Sequence, residues 1–180
     1  MRLRQLVWYF RRRLMAWLCP MKLPPARAAW LRKQGARIGD GCWICTDEFI
    51  TEPYLLEIGD RVGVSFGTTF VTHDGTAGPE AGWVIYGRIS VGDDTYIGCN
   101  SVILPGTAIG RDCIVGAGSV VRGTVPDGCV VMGNPAEVVM TTAMARKLAP
   151  RNVNRLQIHR LSPKERERVI RDHFGLSQGS

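Results

Sequence analysis

His73 is the side chain in this sequence best suited to proton chemistry. Histidines occur at 73, 159 and 173, and imidazole is the side chain whose ordinary titration range lies nearest neutrality. His73 stands in Thr72-His73-Asp74-Gly75, where a run of twenty residues, VTHDGTAGPEAGWVIYGRIS, separates Phe70 from Val91. Glycines at 75, 78 and 82 let this run bend, and Trp83, Val84, Ile85 and Tyr86 give it apolar side chains to pack. A lone histidine more often serves structure than catalysis. A long polar segment thrown out of regular repeats, however, is more often functional than idle, and His73 is the neutral-pH base it carries.

The thiols are weaker candidates. Cys42 and Cys45 form a CxxC pair, but no second CxxC or nearby histidine completes a zinc set, so no metal is expected. With no continuous apolar run at the start, where Arg11, Arg12 and Arg13 intervene, the sequence does not read as secretory. Free thiols in a reducing cytoplasm are the simplest expectation.

What must position His73 is a repeat. From Val91 to Val121 an aliphatic residue returns every sixth position: Val91, Ile97, Ile103, Ile109, Val115, Val121. The next residue is usually glycine (Gly92, Gly98, Gly110, Gly116), and the fifth of each hexad is small (Thr95, Ser101, Thr107, Cys113, Ser119). A period of six is not helical; it is the signature of a hexapeptide solenoid. Side chains alternate across a strand, so the aliphatic and small residues point into a narrow interior. The glycine beside each corner is expected to supply positive φ. Three hexads make one triangular coil, and coils stack about 4.8 Å apart. The period begins at Ile38-Gly39, slips by two residues around Glu52-Pro53-Tyr54, and resumes at Ile58-Gly59. Proline cannot donate to the ladder, which predicts a bulge at that corner.

Helices flank the coil. Leu3, Leu6, Val7, Phe10, Leu14, Trp17 and Leu18 fall on one helical face with arginines over much of the rest. That predicts a helix that either caps the first coil or lies on a membrane surface. A second short helix is expected over 26–34 and another over 141–148. Ser162-Pro163-Lys164-Glu165 opens a last helix running to Phe174, with Gly175 as its stop. The chain thus divides into a basic helical segment, 1–37, a repeat domain, 38–140, with a protruding loop at 72–90, and a basic helical extension, 141–180. Net charge is +7, yet the repeat domain is acidic, with thirteen Asp/Glu against four Lys/Arg over 38–145. The basic ends suit anionic lipid or phosphorylated small molecules. They carry no nucleic-acid-binding motif, so no nucleic-acid partner is expected. No run approaches the ~20 apolar residues of a membrane span.

Taken together, the Ile-Gly hexads, "THDG" on a protruding loop, "IGCNSVILPGTAIGRDCIVGAGSVV" and "VPDGCVVMGNPAEVV" resemble the hexapeptide-repeat acyltransferases. The closest likeness is to the CoA-dependent O-acetyltransferases of sugars and polysaccharides, and it spans about residues 30–140. The resemblance implies a mainly β fold, a left-handed parallel β-helix with N- and C-terminal helices. Its hand is opposite to that of ordinary parallel crossovers. It implies acetyl-CoA as co-substrate and a homotrimer with sites between subunits. The thiols and the amphipathic pattern add the expectation of a cytoplasmic enzyme, with the N-terminal helix as the point of any peripheral membrane contact.

The same resemblance assigns residues. His73 matches the general base that removes a proton from an acceptor hydroxyl, an effect worth about 10²–10⁴ in rate. No cysteine sits on the loop that bears it, which favours direct transfer over an acyl-enzyme. Asp74 binds an acceptor hydroxyl or tunes the imidazole, if it is not simply an Asp-Gly turn. Glu52 orients His73 or binds the acceptor. Tyr96 occupies an aromatic position near the reacting groups, with packing between subunits as its alternative. For CoA the likeness points to Cys99, Ala117, Gly118 and Ser119 along the pantetheine arm and to Asn134 and Pro135 near the nucleotide. Relatives commonly read Thr-Lys-Asp where this chain has Arg122-Gly123-Thr124, which leaves Arg122, or Arg146 and Lys147, for the phosphates. The rivals are an amino-sugar N-acetyltransferase, a serine O-acetyltransferase and a non-catalytic scaffold. A zinc carbonic anhydrase of this fold needs three histidine ligands, and the repeat domain holds one.

Overall fold

The structure is a computed structural model that describes residues 24–46, 50–75, 82–149, 156, 158 and 161–176. The amphipathic helix expected over 3–18 lies outside them. Helix α1 (Pro24–Lys33) leads into strands that visit three sheets in rotation. β1 (Arg37–Ile38) enters the first sheet and β2 (Trp43–Ile44) the second. β3 (Leu56–Ile58), β4 (Gly63–Val64) and β5 (Thr69–Phe70) enter the first, second and third. The hairpin β6 (His73–Asp74) and β7 (Ile85–Tyr86) stands apart. β8 (Ile89–Val91), β9 (Tyr96–Ile97) and β10 (Val102–Ile103) repeat the circuit, as do β11 (Ala108–Ile109), β12 (Ile114–Val115) and β13 (Val120–Val121). β14 (Thr124–Val125) and β15 (Cys129–Gly133) complete it, and β16 (Ala136–Thr141) folds back antiparallel on β15. This is a parallel β-helix.

Register explains the period. Ile38, Ile58, Val91, Ile109 and Val125 pair in one column, Ile44, Val64, Ile97, Val115 and Val131 in a second, and Phe70, Ile103 and Val121 in a third. All are buried, and each such side chain contributes about 1.5–3 kcal/mol of burial. The small fifth residues are interior too, and their hydroxyls and thiol are satisfied by carbonyls of their own or the adjoining coil. Thr95 donates to Gly110 O at 2.9 Å, Ser101 to Gly98 O at 2.8 Å and Cys113 to Pro126 O at 3.1 Å.

The repeat glycines serve a different purpose from the one expected. Gly92, Gly98, Gly110 and Gly116 do not have positive φ; that conformation falls two residues later, at Asp94 (φ 57°), Asn100 (56°), Asp112 (54°) and Gly118 (71°). A Cβ on Gly98 would lie 2.6 Å from Ala117 N and 2.8 Å from Val115 O, and one on Gly92 2.5 Å from Arg111 N. Here glycine is required by the close approach of stacked backbones.

The acidity of the domain has a structural origin along the edge between the first and second sheets. Asp60 Oδ1 accepts from Asp40 N, Asp93 Oδ1 from Asp60 N, and Asp127 Oδ1 from Arg111 N, at 2.8–2.9 Å. Arg61 is paired to Asp94 through two bonds of 2.6 and 2.7 Å.

The first coil is covered by α1, which begins two residues earlier than expected. It buries Ala28 and Leu31, and Arg32 Nε donates to Ile38 O at 2.8 Å. The bulge after Ile50 is a 3-10 turn, Pro53–Leu55, which returns Leu56 and Ile58 to the interior. The chain separates into two compact units, Met1–Ala143 and Met144–Ser180. The first ends at the start of α2 (Thr142–Leu148), where the buried Thr142 hydroxyl bonds Asp112 and Gly128 O. In the second, α3 (Pro163–His173) is opened by the Ser162–Glu165 capping box and closed by Phe174 and Gly175 (φ 62°). Hydrogen bonds from Ser162 hold the Glu165 carboxyl below its ordinary range. Among the described residues no helix is long and apolar enough to cross a membrane.

Candidate active site

The long break begins where the chain leaves β5 at the edge between the third and first sheets. Its base is a hairpin. His73 pairs with Tyr86 and Asp74 with Ile85, and Gly87 N donates to Thr72 O at 3.0 Å. Backbone pairing holds this hairpin, and the apolar run does not pack as expected: Trp83, Val84, Ile85 and Tyr86 are all exposed, Trp83 at 74% and Tyr86 at 59%.

At its root the structure joins two residues twenty-one apart. His73 Nδ1 lies 2.9 Å from Glu52 Oε2, and the same oxygen accepts from Thr72 Oγ1 at 2.6 Å. Glu52 is buried at 8% exposure, lodged at the N-cap position of the 3-10 turn, whereas the His73 side chain is 38% exposed. A carboxylate accepts only, so Nδ1 carries a proton, and in the neutral imidazole the lone pair is on Nε2. A carboxylate beside a partly exposed imidazole is an arrangement that can orient a general base. The Tyr86 ring stands beside the imidazole, with centroids 5.6 Å apart and planes inclined by 43°.

Thr72 and Tyr86 were not among the residues singled out from sequence. Thr72 carries no signal there, since buried threonines recur throughout the coil. Tyr86 belongs to an apolar run that reads as packing material.

The other candidates fall elsewhere. Tyr96 is half-exposed on β9 in the second sheet, flanked by Gly63 and Ile114; within one chain the structure does not bring it to His73. Cys99, Ala117 and Gly118 line the edge between the second and third sheets, where Gly118 N donates to Cys99 O at 2.8 Å. Ser119 is wholly buried, and its hydroxyl donates to Gly116 O and accepts from Gly133 N at 3.2 Å. That bond ties the β15–β16 turn, with the exposed Asn134 and Pro135, to the same edge. Arg122 is exposed and follows β13, on the edge from which the hairpin leaves. Asp74 is half-buried beside His73 on β6.

Cys42 and Cys113 are buried, whereas Cys99 is exposed. Cys42 donates to Gly59 O at 3.0 Å, and burial pushes Cys42 and Cys113 above the ordinary thiol range. Among the described residues no group of three or more His, Cys, Asp or Glu is placed to hold a metal ion.

The fold is that of a protein built from hexapeptide repeats. A family profile described as Bacterial transferase hexapeptide (six repeats) matches residues 88–123. Protein CapG of Staphylococcus aureus is 40% identical over 121 residues, covering 61% of this chain and 67% of CapG. The putative acetyltransferase YvoF of Bacillus subtilis is 33% identical over 93 residues, 49% of each chain. Among solved structures, a galactoside acetyltransferase in complex with coenzyme A superposes with a TM-score of 0.52 at 20% identity, over 68% of this chain and 73% of that one. The chain belongs to the bacterial hexapeptide transferases, and within them it is an acyltransferase. It spans about two thirds of CapG and half of YvoF.

Proposed function

We propose that this protein transfers an acetyl group from acetyl-CoA to a hydroxyl of a sugar or polysaccharide precursor, with His73 as general base. The observation that carries the proposal is the Glu52–His73 pair at the break in the coil. Nε2 takes the proton from the acceptor hydroxyl as its oxygen attacks the thioester carbonyl. The tetrahedral oxyanion collapses, the C–S bond breaks, and the imidazolium returns its proton to the CoA thiolate. The buried Glu52 carboxylate stabilises the imidazolium that exists between those two transfers. No acyl-enzyme is needed, and no cysteine stands on the hairpin segment that carries His73.

Acetyl-CoA suits the opposite edge of the third sheet. Cys99, Ala117, Gly118 and the Asn134–Pro135 turn follow one another along it, and small side chains leave the backbone open to an elongated ligand. The coenzyme found with the structurally similar galactoside acetyltransferase supports this choice of donor. Arg122, on the hairpin's own edge, is the cation for the CoA phosphates.

Because His73 and the Cys99 edge lie on two different edges of one prism, a complete site calls for a second copy. Threefold closure gives three equivalent sites, each with the hairpin of one chain and the Cys99 edge of the next. Tyr96 would then contribute from a subunit surface. The left hand of the coil and a cytoplasmic location belong to the same reading.

The test is release of free CoA thiol on mixing acetyl-CoA with sugars, amino sugars, serine and glycans. A hydroxyl-bearing sugar should be the acceptor, and His73→Ala should abolish turnover while acetyl-CoA still binds. An intact rate in His73→Ala, or no binding of acetyl-CoA by the wild type, would overturn the proposal. A preference for the amine over its hydroxyl analogue would reassign it to N-acetylation.

A further inference from the structure

We infer that Tyr86 is the platform on which the acceptor lies, and that the acceptor presents its reacting hydroxyl on a pyranose ring rather than on an acyclic chain. The inference deepens the acetyl-transfer reading and rests on it.

Tyr86 is directly opposite His73 in the hairpin ladder, so its ring is fixed by the same backbone pairing that fixes the base. Directly opposed side chains on neighbouring strands hold close, constant separations. At 5.6 Å between centroids and 43° between planes, the two rings form an open corner, with imidazole as one wall and phenol as the other. Glu52 occupies the imidazole's Nδ1 side, which leaves Nε2 for the acceptor.

The phenol is 59% exposed although the imidazole beside it is more than half covered. Tyr86 belongs to a run of exposed apolar residues with Trp83, Val84 and Ile85, and exposed apolar surface that gathers in one place marks binding more often than single residues do. Two properties select the occupant. A tyrosine face supplies a rigid apolar area at small entropic cost, with a polar rim at its hydroxyl. A pyranose matches it, presenting a face of C–H groups bordered by hydroxyls, one of which then projects toward Nε2. An acyclic alcohol such as serine has no comparable face to lay on the ring.

The experiment compares wild type, Tyr86→Phe and Tyr86→Ala by thiol release with acetyl-CoA, using methyl hexopyranosides and, as acyclic alcohols, serine and threitol. Wild type should acetylate at least one pyranoside and neither acyclic alcohol. Tyr86→Ala should raise KM for that pyranoside at least tenfold with KM for acetyl-CoA within twofold, and Tyr86→Phe should stay within about threefold of wild type. Sedimentation should show one oligomeric state for all three proteins.

Transfer to serine or threitol but to no pyranoside overturns the inference while leaving acetyl transfer standing. So does an unchanged pyranoside KM in Tyr86→Ala. Dissociation of Tyr86→Ala into smaller species also overturns it, by showing that another copy covers the ring. Failure of the wild type to bind acetyl-CoA is the separate result that removes the underlying reading.

Discussion

Thr72 and His73, neighbours in the chain, converge on a single oxygen. Glu52 Oε2 receives the Thr72 hydroxyl at 2.6 Å and lies 2.9 Å from His73 Nδ1. Strand geometry sends consecutive side chains to opposite faces, so this convergence depends on Thr72 being the last residue of the coil and His73 the first of the hairpin. Glu52 sits where the two paths part.

Glu52→Gln keeps the volume of the side chain and removes its charge. The imidazolium formed during transfer then has no anion beside it, so kcat should fall by up to ~10⁴, the scale seen when a base loses its orienting carboxylate. KM for acetyl-CoA should not move, because Glu52 is buried and bonds the imidazole. Steady-state kinetics on the purified variant settle the point; a kcat within twofold of wild type would leave Glu52 as a purely structural residue.

Thr72→Val is nearly isosteric and deletes one donor to a buried carboxylate. Leaving that acceptor short of a partner costs about 1–3 kcal/mol, which should appear as a lower midpoint in urea. The carboxylate is also freed to leave Nδ1, so kcat should fall about tenfold. Thr72→Ser restores the hydroxyl and should recover most of the rate, an outcome that packing alone does not predict.

The coil was legible because its period is set by backbone geometry that repeats: each sixth residue must fill the interior, and Val91 to Val121 do so without interruption. The reason for the glycines was not legible, since a closely stacked backbone and a positive φ demand the same residue. His73 could be found because histidines are few and this one stands at a break. Its partner was harder to see, for Glu52 lies twenty-one positions away in a region where the period slips. Thr72 and Tyr86 were invisible, because their roles exist only once the hairpin folds back on the coil.

The two kinds of corner residue can be separated by substitution. Gly98→Ala places a Cβ 2.6 Å from Ala117 N and 2.8 Å from Val115 O. Backbone on both sides cannot yield without parting the coils, so the cost should reach or exceed the ~1–3 kcal/mol of ordinary overpacking. Asn100, at φ 56°, has the opposite need. Asn100→Gly relieves a conformation that L-residues adopt at some cost and should change stability by less than about 1 kcal/mol. Thermal melts of the pair give the ranking, and equal destabilisation would contradict the assignment of close approach to one site and φ to the other.

The buried thiols make the fold sensitive to alkali. Cys42 and Cys113 stay protonated to higher pH when folded than when unfolded, because burial disfavours the thiolate, only partly offset by nearby backbone hydrogen bonds. An unfolded thiol ionises near ~8.5. Below that value both states carry the proton and this contribution to stability is fully present. Above it the unfolded chain releases protons that the folded chain keeps, so stability declines until the folded thiols also ionise. Tm should therefore fall between pH 8 and pH 10 more steeply in wild type than in Cys42→Ala/Cys113→Ala, with lysines and tyrosines supplying the background common to both. Parallel slopes for the two proteins would show that these thiols do not drive the decline.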